Sequence, residues 1–205
     1  LSIDYKGRRS INEMRLSHPA RRLYLLIERY QREFPRRTPI VCACERGRMD
    51  DLQSFMTLHP YHKYITNSDV NGYRDDMTLK DMVSQAGKNN DGIEYTPLML
   101  AAWNEHFQVV KYLIEQCEAD PNITKSNGCN ALHFAACWNS TNAELIQLLL
   151  THMTLDSINI KDGDGETPLD LAYNNHSPIR QEMIALLRLK GGKSNWFDEN
   201  GRHVG

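Results

Sequence analysis

Thr96-Pro97-Leu98-Met99-Leu100-Ala101-Ala102 decides the fold, because it returns. The place of Pro97 is taken 34 residues later by Ala131, in Asn130-Ala131-Leu132-His133-Phe134-Ala135-Ala136. After a further 37 residues it is taken by Pro168, in Thr167-Pro168-Leu169-Asp170-Leu171-Ala172-Tyr173. An earlier copy is Thr38-Pro39-Ile40-Val41-Cys42-Ala43-Cys44. Each copy precedes a second apolar block: Leu52 and Phe55; Val109, Val110, Leu113 and Ile114; Leu145, Ile146, Leu148 and Leu149; Met183, Ile184, Leu186 and Leu187. Self-similarity at a period of roughly 20 to 50 residues marks a repeat architecture.

Each part of the motif has a physical reason. Thr or Asn at a helix start offers an oxygen to free backbone N–H groups. Pro follows at the first helical position, where its missing N–H costs nothing. The Ala pair lets a short first helix lie close to its neighbours. The second block carries one buried stripe at helical spacing. A lone helix pair cannot bury its apolar face, so the copies must stack.

With Ala119-Asp120-Pro121-Asn122 closing the second copy, this register resembles the ankyrin repeat. That family reads Thr-Pro-Leu-His-x-Ala-Ala, then Val-Val-x-x-Leu-Leu, then Gly-Ala-Asp-x-Asn. The resemblance runs from Thr38 to Gly205 with one interruption. The implied fold is an all-α ankyrin-repeat solenoid of stacked helix-turn-helix pairs with finger loops. Residues 1–36 form a basic N-terminal capping-helix region and 37–205 the array. Repeats lie near 37–71, 92–124, 126–160 and 163–195, a further finger starts at 196–205, and an insertion occupies about 72–91. His133 keeps the family histidine, whereas Val41, Met99 and Asp170 do not. Extra residues around Ser140-Thr141 and His176-Ser177-Pro178 lengthen the turns between paired helices.

The interruption follows Ser68-Asp69-Val70-Asn71, which resembles a repeat's closing segment. Thr78 and Asp81 form a start like a capping box and Gly87 a stop, which predicts a short inserted helix. A degenerate extra repeat is the alternative. Ser17-His18-Pro19 opens a helix through Glu33, apolar at Leu23, Leu26, Ile27, Tyr30 and Phe34 and basic at Arg21, Arg22, Arg29 and Arg32. It fits a polar-faced cap. At the other end, Gly191 to Gly201 is either the start of a truncated repeat or a tied-down tail.

At 40% hydrophobic and 24% charged residues, the chain is too apolar for a largely disordered protein. The longest apolar candidate, Leu145 to Leu150, falls far short of the ~20 residues of a membrane helix. Leu1 to Ser10 has no secretory apolar region, and the start without Met leads to the expectation that the chain is a piece of a longer protein. Five cysteines without a CxxC pair point to a reducing, intracellular setting, cytoplasmic or nuclear. Residues 1–48 carry twelve Lys/Arg against five Asp/Glu, and the remainder twelve against twenty-one. The molecule therefore has electrostatically distinct ends.

Nothing here has the pattern of a nucleophile with its base. Cys42 and Cys44 point to different sides of one helix, and Cys117, Cys129 and Cys137 stand alone. The eight histidines have no metal-ligand spacing. The expectation is no enzyme, no metal and no cofactor. The resemblance places Asn122 and Asn159 at the finger position that asparagine hydroxylases modify in some ankyrin domains.

The resemblance also implies where a partner would touch: the finger tips and the exposed side of the first helices, which line a concave face. In register these are Glu45, Arg46, Tyr95, Trp103, Asn104, Trp138, Asp164, Glu166, Tyr173, Asn174 and Trp196, with Lys125, Cys137 and Phe197 at further such positions. All three tryptophans are among them, and aromatics dominate many interfaces. Tyr95, Trp103, Trp138 and Tyr173 are expected to form an exposed stripe; the alternative is that their rings pack neighbouring helices together. Asp162, Asp164 and Glu166 favour a basic partner, or are a solvated loop tip.

The reading is a protein-protein interaction module for another protein or peptide. The alternatives are nucleic-acid or anionic-surface binding by the basic N-terminal segment, and a regulatory or substrate-docking part of a larger enzyme. Nucleic acid is disfavoured, because the aromatics lie elsewhere and the rest is acidic. A methyl-lysine cage, as in some histone methyltransferase ankyrin domains, would use Tyr95, Trp103 and Phe134. However, Leu100 stands where that cage wants an aromatic and Trp103 where it wants an acid. Oligomeric state is open.

Overall fold

The computed structural model describes residues 18–34, 38–58, 78–84, 87–88 and 94–204. Helix pairs follow the motif copies: α2 (Pro39–Glu45) with α3 (Met49–Leu58), α5 (Pro97–Trp103) with α6 (Phe107–Glu115), α7 (Ala131–Trp138) with α8 (Ala143–His152), and α10 (Pro168–Asn174) with α11 (Arg180–Leu189). The first helices pack in a row, α2 on α5, α5 on α7 and α7 on α10. Behind them α6 packs on α8 and α8 on α11. The array is the all-α solenoid that the repeats imply.

The core is one layer between the two rows. Leu52, Phe55, Val110, Leu113, Leu145, Ile146, Leu149, Met183 and Leu187 are fully buried along the second helices, facing the alanines of the first. Ala101, Ala102, Ala135 and Ala136 have no exposed surface, so the first helices approach closely. Ala43 and Cys44 fill the corresponding places in α2, and Cys42 beside them is also fully buried as a small apolar group.

Three of the four first helices use their expected caps. Thr96 Oγ1 accepts from Met99 N at 3.2 Å. Asn130 Oδ1 accepts from Leu132 N and His133 N at 3.1 and 3.2 Å. Thr167 accepts from Asp170 N, and the Asp170 carboxylate answers Thr167 N at 2.8 Å. Thr38 is the exception: its hydroxyl makes no capping bond, and Pro39 alone sets the start of α2.

At the N-terminal end, α1 (His18–Glu33) covers α2 and α3. Leu23 and Tyr30 are fully buried, and Arg21, Arg22, Arg29 and Arg32 face solvent. Tyr30 donates its hydroxyl to Asp51 at 2.8 Å, and Arg29 pairs with the same carboxylate. Burial, the largest cause, and Asp51 both push the Tyr30 phenol well above its ordinary range. The inserted helix α4 (Leu79–Ser84) starts on the Thr78/Asp81 box and packs on α5. Ser68 to Asn71 and most of the insertion lie outside the described residues.

Three elements were not expected. Strands β1 (Gly87–Lys88) and β2 (Glu94–Tyr95) form a short antiparallel pair beside α5, and α9 (Leu155–Ile158) fills the link after α8. The residues inserted at Ser140-Thr141 also have a role. The carboxylate of Glu105 accepts from Ser140 N at 3.0 Å, Ser140 Oγ at 2.8 Å and Thr141 Oγ1 at 2.6 Å. Burial would raise the Glu105 pKa, but these bonds outweigh it and hold it low. The backbone of Glu105 has a φ of 57°, in the left-handed region that residues other than glycine seldom adopt.

Polar groups between repeats join each copy to the next. Nδ1 of His133 accepts from Asn130 N at 3.2 Å, and Nε2 donates to the Glu166 carbonyl at 3.3 Å. Asn175 Nδ2 reaches the Ala136, Cys137 and Asn139 carbonyls at 2.9, 3.1 and 3.1 Å. Asn159 Oδ1 accepts from Lys193 N at 2.6 Å.

The last joint is Asp170, which has no exposed surface. It accepts from the N–H groups of Thr167, Asn195 and Trp196 at 2.8, 3.0 and 3.1 Å, and from the Ser194 hydroxyl. Burial works to raise its pKa, but the bonds from Ser194, Thr167 and Asn195 prevail and hold the carboxyl below its usual range. The segment after α11 is thereby tied down: Phe197 pairs with His203, and Gly201 closes the turn at φ 75°.

Two outcomes follow for stability. Asp170→Ala leaves buried donors without an acceptor, and should lower the free energy of unfolding by about 2–4 kcal/mol, read from urea midpoints. Burial, the largest cause, lowers the His133 pKa below its ordinary value. The unfolded chain then binds that proton first as pH falls. The His133 contribution is complete above about pH 6.5 and is lost as pH drops below it. Urea midpoints at decreasing pH should fall less steeply in His133→Asn than in the natural chain.

Candidate functional site

Two groups of side chains stand out on the finger and first-helix face. The first is a ladder of rings across α5 and α7. Trp103 stacks on Phe134 with centroids 5.3 Å apart and on Trp138 at 6.2 Å, and Tyr95 closes the group at 5.7 Å from Trp103 and 5.6 Å from Phe134. The rings meet because α5 and α7 run side by side, which brings residues one repeat apart into contact. Lys125 Nζ, from the preceding finger, lies 4.2 Å from the Tyr95 centroid and 5.5 Å from that of Phe134.

The expected exposed stripe is thus corrected at two places. Tyr95 is only 7% exposed, since Lys125, Trp103 and Phe134 cover it. Tyr173 is also 7% exposed, because Phe197 stacks on it at 4.6 Å and the Arg188 guanidinium lies 5.5 Å from its centroid. Trp103 is half-buried. Trp138, at 56%, is the exposed end of the ladder. The seat that a cage would offer a methylated lysine on Tyr95 and Phe134 is filled by Lys125 of the same chain.

The second group is a cleft of about 360 Å³ lined by Asp164, Glu166, Asn174, Trp196, Phe197 and His203. It unites five of the residues singled out from sequence: Asp164, Glu166, Asn174, Trp196 and Phe197. Asp170 places Trp196 by holding its N–H. Arg188 holds the adjoining turn, donating to the Asp198 and Glu199 carbonyls at 2.9 and 2.7 Å. Val204 N donates to the Trp196 carbonyl at 2.8 Å, which brings His203 beside the tryptophan. The two rings are nearly parallel, with centroids 6.2 Å apart, and Phe197 stands edge-on to His203 at 5.4 Å.

The opposite wall is acidic. The finger turn repeats at Lys125–Cys129, Asp162–Glu166 and Asp198–Arg202, in each case closed by the first residue's N–H bonding the last residue's carbonyl. In the middle turn Asp162 Oδ1 accepts from Asp164 N and Glu166 N, both at 3.0 Å. That leaves the Asp164 carboxylate outward and exposed. Glu166 accepts from Asn174 Nδ2 at 3.2 Å. Burial first, and then the charges of Asp162, Asp170 and Asp164, raise the Glu166 pKa. Among the described residues the ion pairs are Arg29–Asp51 and Arg48–Glu33, both far along the chain from this wall.

The remaining predicted positions are elsewhere. The Glu45 carbonyl is 3.0 Å from His106 Nε2, a link between the first two pairs. The Arg46 guanidinium lies 4.6 Å from the Phe34 ring centroid. Exposed Asn104 turns its amide back to the Leu100 carbonyl at 2.9 Å. His203 was missed, and only its pairing with Phe197 across the last turn reveals it. The role of Asp170 was missed as well, although its spacing of three from Thr167 was a usable capping-box signal.

The cysteines are free thiols. Burial pushes Cys117 up to about 11 and Cys44 well above its usual value, so both stay protonated at neutral pH. Among the described residues no group of three or more His, Cys, Asp or Glu could hold a metal ion. Among them, too, no helix is long and apolar enough to cross a membrane.

Known proteins share the repeat. The chain is 28% identical over 120 residues, 57% of its length, to alpha-latrotoxin-Lg1a of Latrodectus geometricus. It is 24% identical over 118 residues, 58% of its length, to the E3 ubiquitin-protein ligase Ufd4 of Drosophila melanogaster. The matches span only 8% and 4% of those proteins, so the likeness is one of repeats. The family model described as ankyrin repeats (3 copies) matches residues 19–142 and again 98–195. Together with the stacked helix pairs and finger turns, these matches show that the chain belongs to the ankyrin-repeat family.

Proposed function

We propose that this chain is a non-catalytic binding module that holds a partner protein or peptide on its finger and first-helix face. Ankyrin repeats are generally protein-protein interaction modules and typically non-catalytic. The observation that carries the reading here is Trp138. Its ring is 56% exposed, and tryptophan is among the residues that most often dominate binding energy at an interface. The ring is held in place by its stack on Trp103, so little freedom remains to be lost on binding. The Trp196 cleft supplies a second contact on the same side of the array. Five free thiols suit an intracellular working place.

The basic N-terminal reading is less well supported. Arg29 and Arg48 are paired with Asp51 and Glu33, and Arg46 lies against Phe34, which leaves fewer cations for a phosphate backbone. A docking role within a larger protein remains compatible with the binding reading, since both relatives are far longer than this chain.

The test is a pull-down from native extract, identification of the captured protein, and titration of that protein against two variants. Trp138→Ala should cost less than about 1 kcal/mol of stability, because its ring is mostly outside the core. It should also weaken the captured partner's affinity about tenfold or more. Trp103→Ala should destabilise the chain by more than Trp138→Ala does. A folded Trp138→Ala that binds the partner as tightly as the natural chain would remove the ladder from the interface.

A further inference from the structure

We infer that the cleft between Trp196 and Glu166 is a subsite for an arginine side chain of a partner peptide, an assignment that rests on the protein-binding reading above.

The walls specify the occupant. One is aromatic: the indole of Trp196 with the parallel ring of His203, and Phe197 beside them. The faces of the indole and phenyl rings attract cations. The other wall carries Asp164 and Glu166. Asp164 has no side-chain hydrogen bond among the described residues, and Glu166 has a single neutral partner, Asn174. A cation would be drawn to both walls at once, whereas a phosphate or carboxylate would meet repulsion and a neutral apolar side chain would leave the carboxylates unanswered.

Other rings in the molecule show how this chemistry is satisfied within the chain. Arg46 covers Phe34, Lys125 covers Tyr95 and Phe134, and Arg188 covers Tyr173. Trp196 has two carboxylates nearby and no lysine or arginine over it among the described residues. Burial first, and then its acidic neighbours, raise the proton affinity of Glu166.

Arginine fits better than lysine because of shape. A planar guanidinium can lie against the indole and still donate in its own plane to carboxylates at the rim. A lysine ammonium, a compact and strongly hydrated charge, gains less from a flat wall. The cleft is at the small end of the range for ligand sites, in keeping with one side chain rather than a whole small molecule.

The test needs no identified partner. N-acetyl-arginine methylamide is titrated into the full chain while the indole N–H signals of Trp196 and Trp138 are followed by NMR. The lysine, norleucine and glutamate analogues serve as comparisons. Expected are saturable shifts at Trp196 with arginine, weaker binding of lysine, no saturable shift with norleucine or glutamate, and little change at Trp138. The double variant Asp164→Asn/Glu166→Gln should bind the arginine probe about tenfold more weakly or worse, with an unchanged urea midpoint. A Trp196 signal indifferent to arginine, or moved equally by norleucine or lysine, would overturn the assignment without any use of the variant. The probe binds the free chain, so the subsite can fail while Trp138→Ala still abolishes partner capture, and the reverse outcome is equally readable.

Discussion

The buried carboxylate of Asp170 is the interaction on which the C-terminal part of this structure depends. A charge without exposed surface is tolerable only where donors surround it. Here the donors come from two places: the start of its own helix, and the segment that follows the last helix pair. Satisfying one side chain therefore fixes a whole finger. Trp196 and Phe197 are where they are because the backbone beside them is bonded to Asp170.

The same logic recurs along the array in milder form. His133, Asn159 and Asn175 each reach backbone groups about one repeat away. These bonds specify the offset between neighbours, which apolar packing alone would leave free to slide. Stability in such a structure is a sum over adjacent contacts. Local joints of this kind set how rigidly a surface assembled from several repeats is presented to a partner.

That surface is organised by pairing rings with cations. Where the chain supplies its own lysine or arginine, the ring is closed over and becomes part of the fold, as at Tyr95 and Tyr173. Where it does not, the ring stays open, as at Trp138 and Trp196. The charge asymmetry between the two ends of the sequence has a similar resolution. Part of the N-terminal excess is answered inside the cap by Asp51 and Glu33, while the acidic finger at Asp164 and Glu166 has no such answer among the described residues.

Sequence by itself determined the architecture. Recurring Thr-Pro-Leu and Ala-Ala blocks specify helix starts, close-packing faces and a repeat spacing, all of which are local or periodic properties. The cap helix and the short helix after Thr78 were legible for the same reason. Which of the expected contact positions are exposed was not legible. Tyr95 and Tyr173 occupy the same kind of place as Trp138, yet they are buried, because Lys125, Phe197 and Arg188 come from loops whose paths no periodicity encodes. Nor could spacing show that Asp170 binds residues 24 to 26 positions away, or that His203 stacks on Trp196. Those contacts depend on how the final loop folds back on the array, and only the tertiary structure decided that.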